Sequence, residues 1–214
     1  MDIISPQLPK LAVLIPSSVI WQADFGMSVA ACVSNSMRVA RIGIINEKSS
    51  MITAARNNLV VRALSHEADY VFFVDSDMFF PADAIARLMA HDKDIVGCTY
   101  NKRVPPYETL GVQKAKDIPT PQSGLVEMEN LPGGFVLIKT SVFRNLKWPY
   151  YYETYENDGK GKCVITSEDY NFCKKAEKAG YKIWCDVDLT IDIGHSGQQT
   201  NTVASAQAHN AANG

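Results

Sequence analysis

The chain has 214 residues, 46% hydrophobic and 21% charged, with a formal net charge of −2. This composition excludes a disordered chain and supplies enough apolar surface for one substantial core. The slightly acidic balance leaves no general basic footprint, which argues against a nucleic-acid partner. Five cysteines, Cys32, Cys98, Cys163, Cys173 and Cys185, are odd in number, widely spaced and without a C-x-x-C pair. That pattern speaks against both a disulfide framework and a zinc site. The first residues lack a basic segment followed by a long apolar one, and no stretch approaches about 18 uninterrupted apolar residues. The sequence therefore predicts a soluble, cytoplasmic protein with no signal peptide and no membrane span.

In chain order, residues 11–15 form a short apolar run closed by Pro16, Ser17 and Ser18, the pattern of a strand buried on both faces. Residues 24–37 predict a helix and 41–45 a second strand. Over 51–64, Ile52, Ala55, Leu59 and Ala63 fall at helical spacing, with Ser49 or Ser50 as the N-cap and Arg56, Asn57 and Arg62 on the polar face. The most strand-like run is 70–74, Tyr-Val-Phe-Phe-Val. Pro81 then opens a helix carrying Ile85 and Leu88, and 94–100 is a further strand. This alternation predicts an α/β fold, a mostly parallel sheet flanked by helices, with ligands gathered at the carboxyl ends of the strands.

Between 101 and 121 the pattern is lost among four prolines and mixed charges, which reads as a loop or lid. Regularity returns at 124–129 and 133–138, a small antiparallel portion toward the C-terminus, followed by a short helix over 141–146. Residues 167–179 predict a helix with Ser167 as N-cap, Glu168 and Asp169 in its first turn and Gly180 beyond its end. Strands are expected at 181–185 and 189–193. The tail, 198–214, has no apolar face and reads as a flexible tail or a linker within a larger multidomain protein.

The tripeptide D-x-D occurs three times, at Asp75 and Asp77, Asp92 and Asp94, and Asp186 and Asp188. Only the first follows directly on a strongly apolar strand, so its carboxylates emerge together where an α/β sheet collects ligands. Two such hard oxygen donors suit an octahedral cation that also takes diphosphate oxygens.

The run from Asp69 to Pro81, with Asp75-Ser76-Asp77 inside it, resembles the core of GT-A glycosyltransferases close to family 2. Residues 53–59 (Thr-Ala-Ala-Arg-Asn-Asn-Leu), 94–97, 133–138 and 167–170 are similar to the same group and occur in its order. The resemblance implies a Rossmann-like GT-A domain over 1–197, with a nucleotide-binding part at about 1–100 and an acceptor and catalytic part at about 124–197. It further implies Mn²⁺ or Mg²⁺ held chiefly by Asp77 and His195, with Asp75 contacting ribose or the metal through water. Pro16 and Ser17 would hold the nucleoside, Glu47 would read the base, and Arg56 and Asn57 would contact the donor. Ser76 lies within the motif, and Gly133 and Gly134 would let backbone approach the sugar closely. Asp169, paired with Glu168, would take the acceptor proton in an inverting reaction. Trp148, Tyr150, Tyr151 and Tyr152 are candidates for stacking on a sugar ring.

The implied activity is metal-dependent transfer of a sugar from a UDP- or GDP-linked donor to an acceptor hydroxyl, expected on a glycan. A sugar-1-phosphate nucleotidyltransferase is an alternative, although such an enzyme would show a glycine-rich basic loop where this chain has Pro16 to Ile20. A catalytically silent nucleotide- or carbohydrate-binding domain of a larger assembly is another.

Overall fold

The computed structural model describes residues 7–102, 108–116, 121 and 123–196. Its centre is an eight-stranded mixed sheet. The chain enters through β1 (Lys10–Ser17), helix α1 (Ala23–Ser36), β2 (Arg41–Lys48), α2 (Ile52–Ser65) and β3 (Tyr70–Val74). After the short β4 (Met78–Phe79) come α3 (Ala84–Ala90) and β5 (Ile95–Gly97). The second half runs through β6 (Val112–Gln113), β7 (Leu125–Asn130), β8 (Phe135–Lys139) and α4 (Thr140–Asn145). It ends with the hairpin β9 (Thr154–Asn157) and β10 (Cys163–Thr166), then α5 (Glu168–Lys178), β11 (Ile183–Asp186), α6 (Val187–Ile191) and β12 (Gly194–His195).

The strand order is β2-β1-β3-β8-β5-β11-β7-β6. Strand β1 pairs in parallel with β2 and β3, as does β11 with β5, but the other four ladders are antiparallel. The α/β class expected from the sequence holds; a mostly parallel sheet does not. Apolar runs at 125–130 and 135–139 announce strands but carry no mark of direction. Strand β8 in fact inserts antiparallel between β3 and β5, and β7 pairs antiparallel with β11.

Both faces of the sheet are covered, which is why its central strands are apolar throughout. In β3, Val71 and Phe73 point to the layer formed by α2, α4 and α5, while Phe72 and Val74 point to α1, α3 and α6. Gly180 closes α5 with φ at +90°, its N–H and that of Tyr181 returning to the last helical carbonyls, as its place in the sequence implies. Two local expectations fail. Residues 189–193 are not a strand, because the Asp186 carboxylate accepts from the Leu189 N–H at 2.8 Å and caps α6. Met51, not Ser49 or Ser50, occupies the N-cap of α2, and Ser49 instead accepts from the Met51 N–H at 3.0 Å. The β9–β10 hairpin and the β4–β12 pair carry too little apolar pattern to be read in advance.

Of the 101–121 loop, the described residues contain a bridge between Asn101 and Thr109 and the short β6, pairing with β7. The rest of that expected lid, and the tail at 198–214, lie outside the described residues. Among the described residues no helix is long and apolar enough to cross a membrane.

Gly97 shows how tightly β5 meets β8. A Cβ there would stand 2.3 Å from the Phe135 carbonyl oxygen and 2.9 Å from Val136 Cα, both backbone atoms. Gly97→Ala is therefore expected to lower the stability of the fold by about 1–3 kcal/mol, measured by urea denaturation.

Candidate active site

Strands β1, β2, β3, β5 and β11 run in one direction, so their carboxyl ends lie at one end of the sheet. Asp75, Ser76 and Asp77 follow β3 at that end, and α2 begins there, which brings Arg56 in its second turn beneath them. Strand β8 starts there too, delivering Gly133 and Gly134, while the first turn of α5 delivers Glu168 and Asp169.

Arg56 joins these elements. Its side chain is 3% exposed; Nη2 donates to Asp75 Oδ1 at 3.0 Å, Nε to Glu168 Oε1 at 3.1 Å and Nη1 to the Gly133 carbonyl at 2.9 Å. The guanidinium lies over the Phe73 ring at 5.3 Å, and its other side is closed by Gly133, where a Cβ would meet Arg56 Cζ at 3.1 Å. Burial opposes the Arg56 charge, yet the carboxylates of Asp75 and Glu168 outweigh it and hold its pKa above the ordinary value. Burial also pushes the Glu168 carboxyl above its ordinary value, against the pull of Arg56.

Gly133 and Gly134 form the turn between the two carboxylate groups. The Asp75 N–H donates to the Gly134 carbonyl at 3.0 Å, and the Gly133 N–H donates to Asp169 Oδ2 at 3.1 Å. A Cβ on Gly134 would fall 2.3 Å from Tyr100 Oη and 2.5 Å from Asp75 Oδ2, so only glycine fits. Asp169 also accepts from the Tyr170 N–H at 2.8 Å and from the Ser167 hydroxyl. Ser167 holds the N-cap position of α5, but its hydroxyl is drawn to that carboxylate instead of capping a backbone N–H. Glu168 is buried in its ion pair, whereas Asp169 is half-buried, so of the two Asp169 alone can meet a substrate.

Two clefts of about 340 Å³ each meet at Ser76 and Asp77. One is lined by Pro16, Ser17, Ser49, Ile52 and Asp75, the other by Val19, Ile20, Gln22 and Ser196. A larger groove, about 440 Å³, lies along β2 and the end of α2, and no carboxylate lines it. His195 on β12 brings Nε2 to 3.5 Å from Asp77 Oδ1, while Nδ1 donates to the Asn101 carbonyl at 3.1 Å. Because a carbonyl oxygen can only accept, this contact holds the ring with Nε2 toward Asp77. The Tyr100 ring packs edge-on against the imidazole, 5.0 Å between centroids. Its hydroxyl accepts the Gly134 N–H at 3.0 Å, and burial raises its pKa well above the ordinary value.

Asp77 and His195 thus form a two-ligand pair fit for a hard cation that keeps its remaining positions for water or phosphate oxygens. Asp75 stands outside that pair, one oxygen committed to Arg56, and among the described residues no group of three or more His, Cys, Asp or Glu is arranged to hold a metal by itself.

Two other expected contacts are spent elsewhere. The Asn57 amide donates to the Thr53 and Tyr151 carbonyls at 2.9 and 2.7 Å and accepts from the Tyr150 and Tyr151 N–H groups, a backbone clamp. Glu47 accepts from Asn58 and Arg62 on α2 and lines neither cleft. Tyr151 is buried in a stack with Phe172, and Trp148 is largely exposed. Tyr100 and the Asn101 carbonyl escaped the sequence reading. Their one signal is position, a polar-tipped aromatic closing an apolar run at a ligand-collecting strand end.

A family model described as Anp1 matches residues 15–117, just under half of the chain. That family is mannosyltransferase-related and glycosyltransferase-like, and the match supports a glycosyltransferase-like role. The matched span contains Arg56, Asp75 and Asp77 and stops before Gly133, Glu168, Asp169 and His195. No curated protein matches the chain. Among solved structures 109 chains match. One, "Crystal Structure of A197 from STIV", aligns with a TM-score of 0.55 and 14% identity over 92% of this chain and 98% of that one, a likeness of fold alone.

Arg56→Met would leave Asp75 and Glu168 without their cation. A loss of about 3–5 kcal/mol is expected in urea denaturation, and adding Glu168→Gln should recover part of it by removing one of the stranded charges.

Proposed function

We propose that this chain is a metal-dependent glycosyltransferase that moves a sugar from a UDP- or GDP-linked donor to an acceptor hydroxyl on a glycan. The observation that carries this reading is that Asp75 and Asp169 flank the Gly133–Gly134 turn at the strand ends, where Asp75 and Asp77 border two clefts. The glycosyltransferase-like family match supports the reaction class.

In this reading the cleft lined by Pro16, Ser17 and Asp75 takes the nucleoside, and Asp77 with His195 would hold Mn²⁺ or Mg²⁺ at the diphosphate. The ion, when bound, neutralises charge on the departing nucleoside diphosphate. Asp75 is the ribose contact, its orientation fixed by Arg56. The Gly133–Gly134 turn leaves room for a sugar ring against backbone. Asp169 takes the proton of the acceptor hydroxyl as that oxygen attacks the anomeric carbon, an inverting displacement. A carboxylate offers about four lone-pair sites, and Asp169 uses three of them on Gly133, Tyr170 and Ser167, which leaves one for the acceptor. Ser167 and Gly133 hold it in place for that purpose.

The test is a panel of nucleotide sugars assayed for hydrolysis and for thermal shift with Mn²⁺. Release of a nucleoside diphosphate from at least one donor is expected, with Asp77→Ala losing Mn²⁺-dependent nucleotide binding. Asp169→Asn should keep that binding and lose transfer by about 10²-fold or more. An Asp77→Ala variant that binds UDP and GDP in Mn²⁺ as tightly as the parent would remove the metal assignment, and normal turnover by Asp169→Asn would reduce Asp169 to an acid at a helix start.

A further inference from the structure

Strand β2 ends the eight-stranded sheet, and among the described residues no strand pairs with its outer edge. It is eight residues long, holds no proline and keeps an unbroken register with β1 from Lys10 opposite Arg41 to Ser17 opposite Lys48. Edges that stay single are usually blunted by shortness, a bulge, a proline or a central charge, and β2 has none of these over Ile42-Gly43-Ile44-Ile45. Ile44 is 49% exposed on one side of this edge. On the other side Asn58 and Arg62 of α2 reach over to Glu47.

The direction of the peptide groups decides what can pair here. The Arg41 N–H donates inward to Pro9 and the Ser49 N–H to Ser17. In a parallel ladder a residue's N–H and C=O point the same way, so Arg41, Gly43, Ile45 and Glu47 serve β1. Ile42, Ile44, Asn46 and Lys48 turn theirs outward. An antiparallel neighbour forms bonds only where outward residues meet outward residues.

We propose that the outer edge of β2 pairs antiparallel with the same edge of a second copy of this chain, about a two-fold axis at Ile44. That axis sets Ile44 opposite the partner's Ile44 and Ile42 opposite the partner's Asn46, all outward-facing. The Asn46 carbonyl already accepts from Arg62 at 3.2 Å and has a second lone pair for the new bond. On the α2 face the same axis sets Arg41 opposite the partner's Glu47, and the two-fold repeats that opposite-charge pair at the other end. Moving the axis by half a residue sets Arg41 against Lys48 and outward groups against inward ones. Moving it to Ile42 or Asn46 shortens the paired run and separates Arg41 from Glu47. Only the Ile44 axis satisfies bonds and charges together.

The layer above accommodates the pairing. Helix α2 lies over β1 and β2, so with strands about 4.8 Å apart the two copies of α2 come to about 10 Å from each other, the spacing of packed helices. Asn58 and Arg62, the α2 residues that reach Glu47, then lie toward the seam between them. An extended peptide from another protein could use the same outward peptide groups, but nothing in such a peptide demands the reciprocal match of Arg41 with Glu47. No residue of β2 itself lines the clefts at Asp77, so the pairing stands independently of the proposed activity.

Sedimentation velocity of the whole chain over a concentration series reads the outcome. The parent should sediment as a dimer at high micromolar concentration. Ile44→Lys, which sets two like charges on the axis, should be monomeric throughout. Arg41→Glu should weaken the dimer about tenfold, through two like-charge pairs with Glu47. Circular dichroism and a urea midpoint close to the parent's establish that each variant is folded. A parent that stays monomeric across the series overturns the proposal, as does a dimer whose dissociation constant is unmoved by both substitutions.

Discussion

A single buried cation organises this end of the molecule. Arg56 has its charge in a pocket walled by Phe73 and Gly133, where an unpaired guanidinium would be costly, and it is held there by two carboxylates and one carbonyl from three separate parts of the chain. Asp75 follows the central strand, Gly133 leads into the antiparallel strand beside it, and Glu168 opens the helix that covers both. Each bond fixes one element against the others, so the relative position of the D-x-D segment and the α5 start is set by one side chain. The resemblance to glycosyltransferases places an arginine at this point as a donor contact. The geometry assigns it instead to the interior, where its planar fork satisfies three acceptors at once, a task a lysine cannot reproduce.

The three D-x-D triplets show how little a tripeptide says without its surroundings. Asp92 and Asp94 both lie within ion-pairing reach of Lys139, 2.8 and 3.7 Å from its Nζ, and serve the surface at the entry to β5. Asp186 caps α6 and accepts or shares a proton with His91 at 2.8 Å, while Asp188 accepts the Gly124 N–H at 2.7 Å. Only Asp75 and Asp77 border the clefts. Strand context separates the three: the first triplet follows five residues of unbroken apolar strand, and its two carboxylates emerge at the ligand end of the sheet.

Local periodicity made the elements of this site legible, and the family resemblance its residues. Strand β3 stands at 70–74 as its apolar run indicates, and Gly133, Gly134, Glu168 and Asp169, which the resemblance implies, lie together at the starts of β8 and α5. What stayed hidden depends on long-range partners. No local pattern states that β8 runs antiparallel between β3 and β5, or that Glu168 is buried against an arginine 112 residues away. Asn57 illustrates the same limit: on a helix wheel it sits beside Arg56 as a polar residue, and only the folded chain reveals that its amide is consumed by the backbone at Tyr150 and Tyr151. Tyr100 looked like the end of a strand and nothing more, yet it links the Gly134 N–H to the ring of His195.

The charge balance at the strand ends bears on the proposed chemistry. Among the described residues, the permanent cation hydrogen-bonded within the group of Asp75, Asp77, Glu168 and Asp169 is Arg56, and it is already committed to Asp75 and Glu168. Part of the excess is relieved by the raised pKa of Glu168, which favours its protonated form more than an exposed carboxyl would. The remainder sits on Asp77, where the two clefts meet, and on Asp169, at the Gly133 end of the turn. A diphosphate brought to such a place adds further negative charge, and no basic side chain among those lining the two clefts meets it. In the proposed reading an anionic donor would arrive with its own counter-charge, and the Asp77–His195 pair is where a divalent ion would find a carboxylate and an imidazole close together.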